Sequence, residues 1–336
     1  MTPFLPRHVK DLAEEVPEAP AWLVHGLLPK GALALLAAYP KVGKSTLAAE
    51  GAVAVAQGRD FLGRRTEQGG VLLIVAEEMK DDVIRRLRHF GMTDTDPVWL
   101  WTETVSDTPK DREDMERFIE EKGIVLVIID TFASYLMISD ETNNSLVTLK
   151  LKPYVDMAHQ KGTTTVLFVH HERKNRDEGD DDTRAIRGGG AILGLADVAF
   201  QLQKESGGGT RRRLRIVGRY QEIPPSLKLD YRDGEYVSLG TPEEHTRVAQ
   251  REKVLAVLPT EGPGSTVAET AKKAGMKEGA ARMALEDAHA AKAATRTGTG
   301  KRGAPYRYLR VGTPMTDAEP VPAMETTLAE KGAAVS

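Results

Sequence analysis

The chain has 336 residues, of which 40% are hydrophobic and 28% charged, a balance typical of a globular protein with a sizeable core. It contains no cysteine, so disulfides and cysteine-based zinc sites are excluded. The N-terminus lacks the apolar core of a signal peptide, and no apolar run approaches the roughly 20 residues of a membrane helix. We therefore expect a cytoplasmic protein with no membrane partner. The net charge of −3 selects no class of ligand.

Four short apolar runs alternate with segments of helical patterning between residues 32 and 171. The runs do not alternate in polarity, which is typical of strands buried on both faces of a parallel sheet. They are Ala32–Tyr39, Val71–Glu78, Ile124–Asp130 and Thr165–His171. The helical segments are Ser45–Gln57, Lys80–Phe90, Asp111–Glu121 and Ser145–Gln160. This pattern predicts an α/β fold in which a parallel sheet core carries helices on both faces.

The region from Asp197 to Leu239 has a different pattern. Its short runs alternate in polarity and are separated by SGGG and RDGE, which predicts antiparallel hairpins at the edge of the sheet. The segment Thr241–Thr246 is interpreted as a linker. We therefore expect an N-terminal arm over residues 1–30 and a main domain over residues 31–240.

Residues 246–312 predict a second, smaller domain. Three short helices precede a hairpin with a Gly-rich tip, an arrangement typical of a winged helix-turn-helix. This stretch carries 13 Lys and Arg against 6 Asp and Glu, which favours contact with DNA phosphates, with Lys301 and Arg302 at the tip. A surface for protein contacts is the alternative. Residues 313–336 have little to bury and are predicted to be disordered.

The octapeptide AYPKVGKS follows the first apolar run and opens a helix. It fits the P-loop pattern, with Ala38 in place of the first glycine. Gly43 lets the backbone turn so that N–H groups point at phosphate oxygens, Lys44 reaches the β- and γ-phosphates, and Ser45 offers its hydroxyl to Mg²⁺. We therefore expect ATP and Mg²⁺ as cofactors. The residues predicted to bind the nucleotide are Ala38, Pro40, Lys41, Val42, Gly43, Lys44, Ser45 and Thr46.

Acidic side chains end two of the predicted strands. Asp130 is suited to hold Mg²⁺, although an ordinary strand-ending aspartate would look the same. A glutamate directly after Asp130 could activate water, but Thr131 stands at that position. The base that activates water must therefore come from elsewhere. Glu77 and Glu78 end the neighbouring run, and we favour Glu77 as the base. The alternative is that both are solvated acids at a helix N-terminus.

His170 and His171 end the fourth run. A polar side chain at this strand tip would face the γ-phosphate and could sense its presence; the alternative is that both are surface histidines. The stretch that follows, up to residue 190, is charged and has almost no apolar side chains.

Five segments together resemble the RecA/DnaB-like P-loop ATPases. They are WLVHGLLPKGALALLAAYPKVGKSTLA, IVAEE, IIDTF, VLFVHHERK and AIRGGGAILGLADVAFQL, and they extend the resemblance from Trp22 to Leu239. Within that group the chain is most similar to the RepA-type hexameric helicases of plasmids, phages and mobile elements. The resemblance implies a RecA-like core and a hexameric ring that holds nucleotide between neighbouring subunits.

The resemblance also implies roles for individual residues. Lys44 and Ser45 would bind phosphate and Mg²⁺, and Asp130 would be the Walker B acid. Glu77 would be the catalytic base and His170 the γ-phosphate sensor. The loop at 172–190 would face a central DNA channel, and its implied DNA-binding residues are Arg173, Lys174 and Arg187.

A ring of this kind completes each site with a cation from the next subunit. By the resemblance that cation is Arg219. Arg213, Arg215 and Arg187 are alternatives, and all could simply be exposed cations.

These features predict an ATP-driven, ring-forming DNA helicase that acts in replication of a plasmid, phage or mobile element. A separate primase or initiator would be its partner. The alternative is a non-unwinding ATPase that binds DNA, initiates replication or regulates it. Residues 172–187 support this alternative because they hold five basic and six acidic side chains, a poor balance for gripping phosphates. A recombinase-like filament is a third possibility, disfavoured by the winged helix and the double histidine.

Overall fold

The computed structural model describes residues 6–13, 16, 19–103, 107–138, 140, 143–171, 190–205, 209–301 and 303–311. The chain separates into two compact units, Met1–His245 and Thr246–Ser336. The first unit begins with a short helix α1 (Val9–Ala13) and a hairpin of strands β1 (Trp22–Val24) and β2 (Leu28–Pro29). Among the described residues, no helix is both long and apolar enough to cross a membrane.

A nine-stranded sheet forms the centre of the first unit. Its strands in chain order are β3 (Leu33–Ala38), β4 (Gly70–Val75), β5 (Val98–Trp101), β6 (Ile124–Asp130), β7 (Thr165–His171), β8 (Val198–Lys204), β9 (Arg211–Gly218), β10 (Ser226–Arg232) and β11 (Glu235–Ser238). Their order across the sheet is β11-β10-β9-β8-β3-β7-β6-β4-β5. The four strands predicted from apolar runs are β3, β4, β6 and β7, and the structure confirms that they lie side by side and parallel.

One strand differs from its predicted direction. We expected β8 to begin an antiparallel region, but β8 runs parallel to β3, and antiparallel pairing begins only between β8 and β9. The reason is that helix α7 (Gly190–Leu195) precedes β8, so the chain crosses over before it re-enters the sheet, as parallel pairing requires. The short edge strand β5 was not predicted and adds a further parallel pair with β4.

Helices cover both faces of this sheet. They are α2 (Lys44–Gln57), α3 (Lys80–His89), α4 (Pro109–Lys122), α5 (Phe132–Tyr135) and α6 (Asn144–Lys161), in addition to α7. Buried side chains of α2 and α3 pack on one face, and those of α4 to α7 pack on the other. Successive residues of β3 alternate between these layers: Leu36 belongs to the first and Leu35 to the second. Burial on both faces explains why the strand sequences are apolar throughout.

The second unit has its own core. Helix α8 (Pro242–Val257) begins just before the division at His245 and contributes most of its length to this unit. The other elements are β12 (Ser265–Thr266), α9 (Val267–Ala274), α10 (Glu278–Ala290), β13 (Ala294–Thr297) and β14 (Arg307–Arg310). The three strands form an antiparallel sheet in the order β12-β14-β13. Buried Leu285 and Tyr308 pack with Val254 and Leu258 between the helices and this sheet. Thr266 and Glu269 form a capping box at the start of helix α9, and the helix is capped at its C-terminus by Gly275.

The segment predicted as a linker is the start of helix α8. Thr241 Oγ1 accepts a hydrogen bond from Glu244 N at 3.1 Å, and Glu244 Oε2 accepts one from Thr241 N at 2.7 Å. These reciprocal bonds satisfy N–H groups that a helix end leaves open, and Pro242 suits the first helical position. The segment is therefore helical, as the TPEE signal for a helix start would suggest, and the division between the two units falls within it.

Candidate functional site

The predicted P-loop connects β3 to α2. Ala38 ends β3 and is fully buried, so its small side chain lies within the sheet layer. The backbone then turns through Lys41 and Gly43, whose φ angles are 63° and 110°. Helix α2 begins at Lys44, and no side chain in the described part of the chain caps its N-terminus. Its first N–H groups therefore remain available to an anion at the positive end of the helix dipole.

The two residues predicted to hold Mg²⁺ lie beside Lys44. Lys44 Nζ is 3.5 Å from Ser45 Oγ and 3.8 Å from Asp130 Oδ1. Burial raises the pKa of Asp130 above its ordinary value, while Lys44 and a hydrogen bond with Ser45 oppose the rise. A hydroxyl and a carboxylate are hard oxygen donors of the kind that Mg²⁺ prefers, so the residues present fit this ion.

In the structure, the two glutamates that end the second apolar run have different bonding partners. Glu77 Oε1 accepts hydrogen bonds from Thr131 Oγ1 at 2.6 Å and from Ser134 Oγ. Glu78 instead forms an ion pair with Arg86 of α3. Glu77 is thus directed at the end of β6, whereas Glu78 is held by a helix.

The pKa of Glu77 lies below its ordinary value. Burial acts to raise the pKa, but the hydrogen bonds from Ser134 and Thr131 outweigh it, with help from the charges of His171 and Lys44. The carboxyl is therefore ionised at neutral pH and can accept a proton from water. Sequence reasoning missed Thr131 and Ser134 as partners of Glu77. Their signal was their position just after Asp130, on the peptide and short helix that end the strand.

The two histidines lie close to Glu77 at the end of β7. His170 is buried, and its ring centre is 5.0 Å from that of Phe132. His171 is more exposed, and its Nε2 lies 3.7 Å from Glu77 Oε2. Both histidines pair with the last residues of β3, so they lie level with the start of the P-loop.

A cavity of about 380 Å³ joins these groups. It is lined by Glu77, Thr131, Ala133, Ser134, Met137, Ile138, His170 and His171. The peptide bond between Asp130 and Thr131, next to this cavity, is cis. The P-loop and the carboxyl groups of Asp130 and Glu77 therefore lie together at the carboxyl ends of the parallel strands, the place where open parallel sheets bind ligands.

Arg219 and the P-loop lie at opposite ends of the strands of the sheet. Strand β9 is antiparallel to β8, and its last residue Gly218 pairs with Val198, which itself pairs with Ala34 near the start of β3. Arg219 Nη1 lies 3.2 Å from Asp197 Oδ1, and the arginine side chain is 59% exposed. Since the P-loop follows the other end of β3, Arg219 cannot reach the phosphate loop of its own chain.

The alternative cations on β9 lie elsewhere along the strand. Arg213 pairs in register with Gln203, near the edge that carries the P-loop, and its Nε lies 3.7 Å from Glu205 Oε1. Arg215 is opposite Gln201 in the middle of the strand.

Of the residues predicted to bind DNA, one is described. Lys301 is exposed at the tip between β13 and β14, where it bridges to Ala304. On the same hairpin the guanidinium of Arg296 lies over the Tyr306 ring, 4.4 Å from its centre. The remaining four, Arg173, Lys174, Arg187 and Arg302, lie outside the described residues, as does the tail from 313.

Comparison with known proteins agrees with this geometry. The AAA_25 family model, described as an AAA domain, matches residues 3–177, just over half of the chain. Among solved structures, the chain is similar to the ATPase domain of G40P, with a TM-score of 0.52, 14% sequence identity, and coverage of 68% of this chain and 95% of that one. At this identity the likeness concerns the fold. No curated protein matches the chain significantly. The chain belongs to the AAA_25 family, and its fold is that of a RecA/DnaB-like P-loop ATPase.

Proposed function

We propose that the protein is a ring-forming, ATP-driven DNA helicase of the RepA type, which acts in the cytoplasm in replication of a plasmid, phage or mobile element. The observation that carries the proposal is the position of Arg219. Its guanidinium is exposed at the ends of the strands that lie opposite to its own P-loop. It could therefore contact a nucleotide phosphate only in a neighbouring copy. A head-to-tail interface that uses two different surfaces closes into a ring when the rotation permits.

In this proposal each site hydrolyses ATP with groups from two subunits. Lys44 and the loop N–H groups bind the β- and γ-phosphates, and Ser45 with Asp130 holds Mg²⁺, which supplies positive charge to the phosphates. Glu77 accepts a proton from the attacking water as the bond to the leaving ADP breaks. Arg219 of the neighbouring subunit offsets charge that develops on the transferred group.

His170 remains our proposed sensor of the γ-phosphate. It lies on β7, beside the P-loop strand, and its ring contacts Phe132, which follows Asp130 and Thr131 on α5. A displacement of the ring on loss of phosphate would therefore reach the segment that holds Glu77. Replacement of His170 by Ala should leave ATP binding in place and weaken the response of hydrolysis to DNA.

Mixing two inactive variants tests the shared site. Lys44→Ala disables the P-loop but keeps Arg219, whereas Arg219→Ala keeps the P-loop. Each variant alone should lack ATPase activity. In equimolar mixed rings about a quarter of the interfaces combine an intact P-loop with an intact neighbouring arginine, so activity should return to about that fraction of wild type.

The matched control is Arg85→Ala, which removes an exposed arginine that pairs with Asp82 on helix α3. Arg85→Ala should hydrolyse ATP on its own, without being mixed with a second variant. Mixed rings of Lys44→Ala and Arg219→Ala that stay inactive would exclude a shared site. Measurement of the molecular mass with and without ATP and Mg²⁺ checks the ring independently.

We also propose that the second unit is a winged helix-turn-helix that binds duplex DNA. Its support is the excess of basic residues in 246–312 and the exposed tip that carries Lys301. Phosphate contacts release counterions, so affinity should fall steeply with added salt. Replacement of Lys301 and Arg302 by Ala should weaken binding and flatten the salt dependence. Lys253→Ala, at an exposed lysine on α8, serves as the control, and equal losses in both variants would contradict a role for the tip.

A second function fits the lack of net positive charge in the segment 172–187, which holds five basic and six acidic residues. In this alternative the protein binds DNA under ATP control and initiates or regulates replication without unwinding. A strand-displacement assay on a forked substrate distinguishes the two. Continuous ATP-dependent unwinding supports the helicase. ATP-dependent DNA binding without unwinding supports the alternative. With either function, the protein would work with a separate primase or initiator.

A further inference from the structure

Two side chains from the antiparallel edge of the sheet contact the back of the P-loop. Tyr236 on β11 directs its hydroxyl at the carbonyl oxygens of Val42 and Gly43, at 3.3 and 3.2 Å. Arg212 on β9 donates from Nε to the Val42 oxygen at 3.4 Å. Both residues are buried, with exposed fractions of 4% and 7%. The loop is therefore bonded to a part of the sheet about 170 to 190 residues away along the chain.

These contacts, together with the helical hydrogen bond from Leu47 N to the Gly43 oxygen at 3.0 Å, hold the loop N–H groups in one direction. In a planar trans peptide the C=O and N–H bonds point in opposite directions. The Val42 carbonyl shares its peptide with the N–H of Gly43, and the Gly43 carbonyl shares its peptide with the N–H of Lys44. The hydroxyl shares its one proton between the two carbonyls, and this contact favours an orientation in which both N–H groups point to the opposite side, where a phosphate would bind.

The fit between the hydroxyl and the loop is close. A Cβ atom added to Gly43 would lie 2.2 Å from the Tyr236 hydroxyl oxygen, a separation that atoms do not tolerate. Gly43 also has a φ of 110°, which residues with a side chain rarely adopt. The glycine is thus required both by its backbone angle and by the hydroxyl behind it.

Tyr236 is itself held in place by two contacts outside the loop. Its backbone N–H donates to Glu50 Oε2 of α2 at 3.1 Å, and its ring centre lies 4.8 Å from that of Tyr231. Arg212 is likewise anchored, because its Nη1 donates to the carbonyls of Gly209 and Arg211, both at 3.0 Å. The support behind the loop is therefore preorganised before any ligand binds.

We propose that Tyr236, assisted by Arg212, is a positioning residue for phosphate binding: its hydroxyl orients the Gly43 and Lys44 N–H groups towards the phosphates of the nucleotide. This inference rests on the proposed use of the P-loop as a nucleotide site. It adds a function for the antiparallel strands, which hold the loop of their own chain in its binding shape.

The test is Tyr236→Phe in the full-length chain, which removes the hydroxyl and keeps the ring. Loss of one intramolecular hydrogen bond should weaken binding of a fluorescent ADP analogue and raise the KM for ATP about three- to tenfold. The kcat should stay within about twofold, because the N–H groups bind substrate and transition state alike. Backbone hydrogen exchange in residues 39–47 should become faster, since each of the two loop carbonyls loses one of its hydrogen-bond partners.

The matched control is Tyr231→Phe, which removes a hydroxyl from the neighbouring ring that makes no contact with the loop among the described residues. This variant should bind nucleotide as wild type does. Equal nucleotide affinity in wild type and Tyr236→Phe would overturn the inference, and so would an equal loss in both tyrosine variants. Failure of the wild-type protein itself to bind ADP or ATP would instead overturn the proposed nucleotide site.

Discussion

Glu50 lies on the helix that follows the P-loop and should make the stability of the first unit depend on pH. Burial raises its pKa to about 7 from an ordinary value of 4.5. The nearby charge of Glu235 adds to the rise, whereas the N–H of Tyr236 and the charge of Arg59 act against it. The carboxyl therefore holds its proton more tightly in the folded chain than in the unfolded chain.

The size and sign of the effect follow from this difference. Between about pH 4.5 and pH 7 the folded chain carries a proton that the unfolded chain has lost, so the free energy of unfolding falls as pH rises through this window. The full shift corresponds to about 3 kcal/mol, and since the side chain is partly accessible to water we expect about 2 kcal/mol. Glu50→Gln cannot ionise, so it should be more stable than wild type at pH 8 by this amount. At pH 5 the two proteins should differ much less.

Urea unfolding followed by tryptophan fluorescence measures the effect. All three tryptophans, Trp22, Trp99 and Trp101, belong to the first unit, so the signal reports the unit that contains Glu50. Glu121→Gln, at an exposed glutamate on α4, is the matched control and should shift the transition equally little at both pH values. A stability difference between Glu50→Gln and wild type that is the same at pH 5 and pH 8 would refute the reasoning.

Three further predictions concern hydrolysis. Lys44→Ala should abolish ATP binding measured by equilibrium dialysis, because the phosphates lose their main cation; binding at wild-type strength would contradict the P-loop assignment. Glu77→Gln should retain binding and lower kcat by at least about a hundredfold, as loss of a general base does, whereas Glu78→Gln should change kcat little. Ser134→Ala removes a hydrogen bond that lowers the pKa of Glu77, so the acid limb of the kcat profile should move to higher pH. If the acid limb of the kcat profile does not move, ionisation of Glu77 does not control that limb.

The sequence alone was sufficient to predict features whose residues are adjacent in the chain. The β3 strand, the turn at Gly43 and helix α2 are adjacent in the chain, so local patterning predicted both the strand–loop–helix unit and the position of Lys44 and Ser45. The parallel core strands were predictable because burial on both faces leaves an unbroken apolar run. Asp130 was selected for the same reason, since it is the polar residue that ends such a run.

Contacts between distant segments required the tertiary structure. The acids Glu77 and Glu78 are adjacent in sequence, and only the neighbouring Thr131, Ser134 and Arg86 distinguish their environments. The TFAS segment after Asp130 hinted at this, but the hint becomes a contact only once β4 and β6 are neighbours.

The sheet order and the direction of each strand decided the rest. The distance of Arg219 from its own P-loop depends on β9 being antiparallel, and β8 is parallel because a helix precedes it. Tyr236 and Arg212 reach the loop because β9 to β11 extend the same sheet, although no local pattern marks either residue. Local patterning reports which face of an element is buried, whereas these contacts depend on which elements become neighbours, and that is settled by packing of the whole sheet.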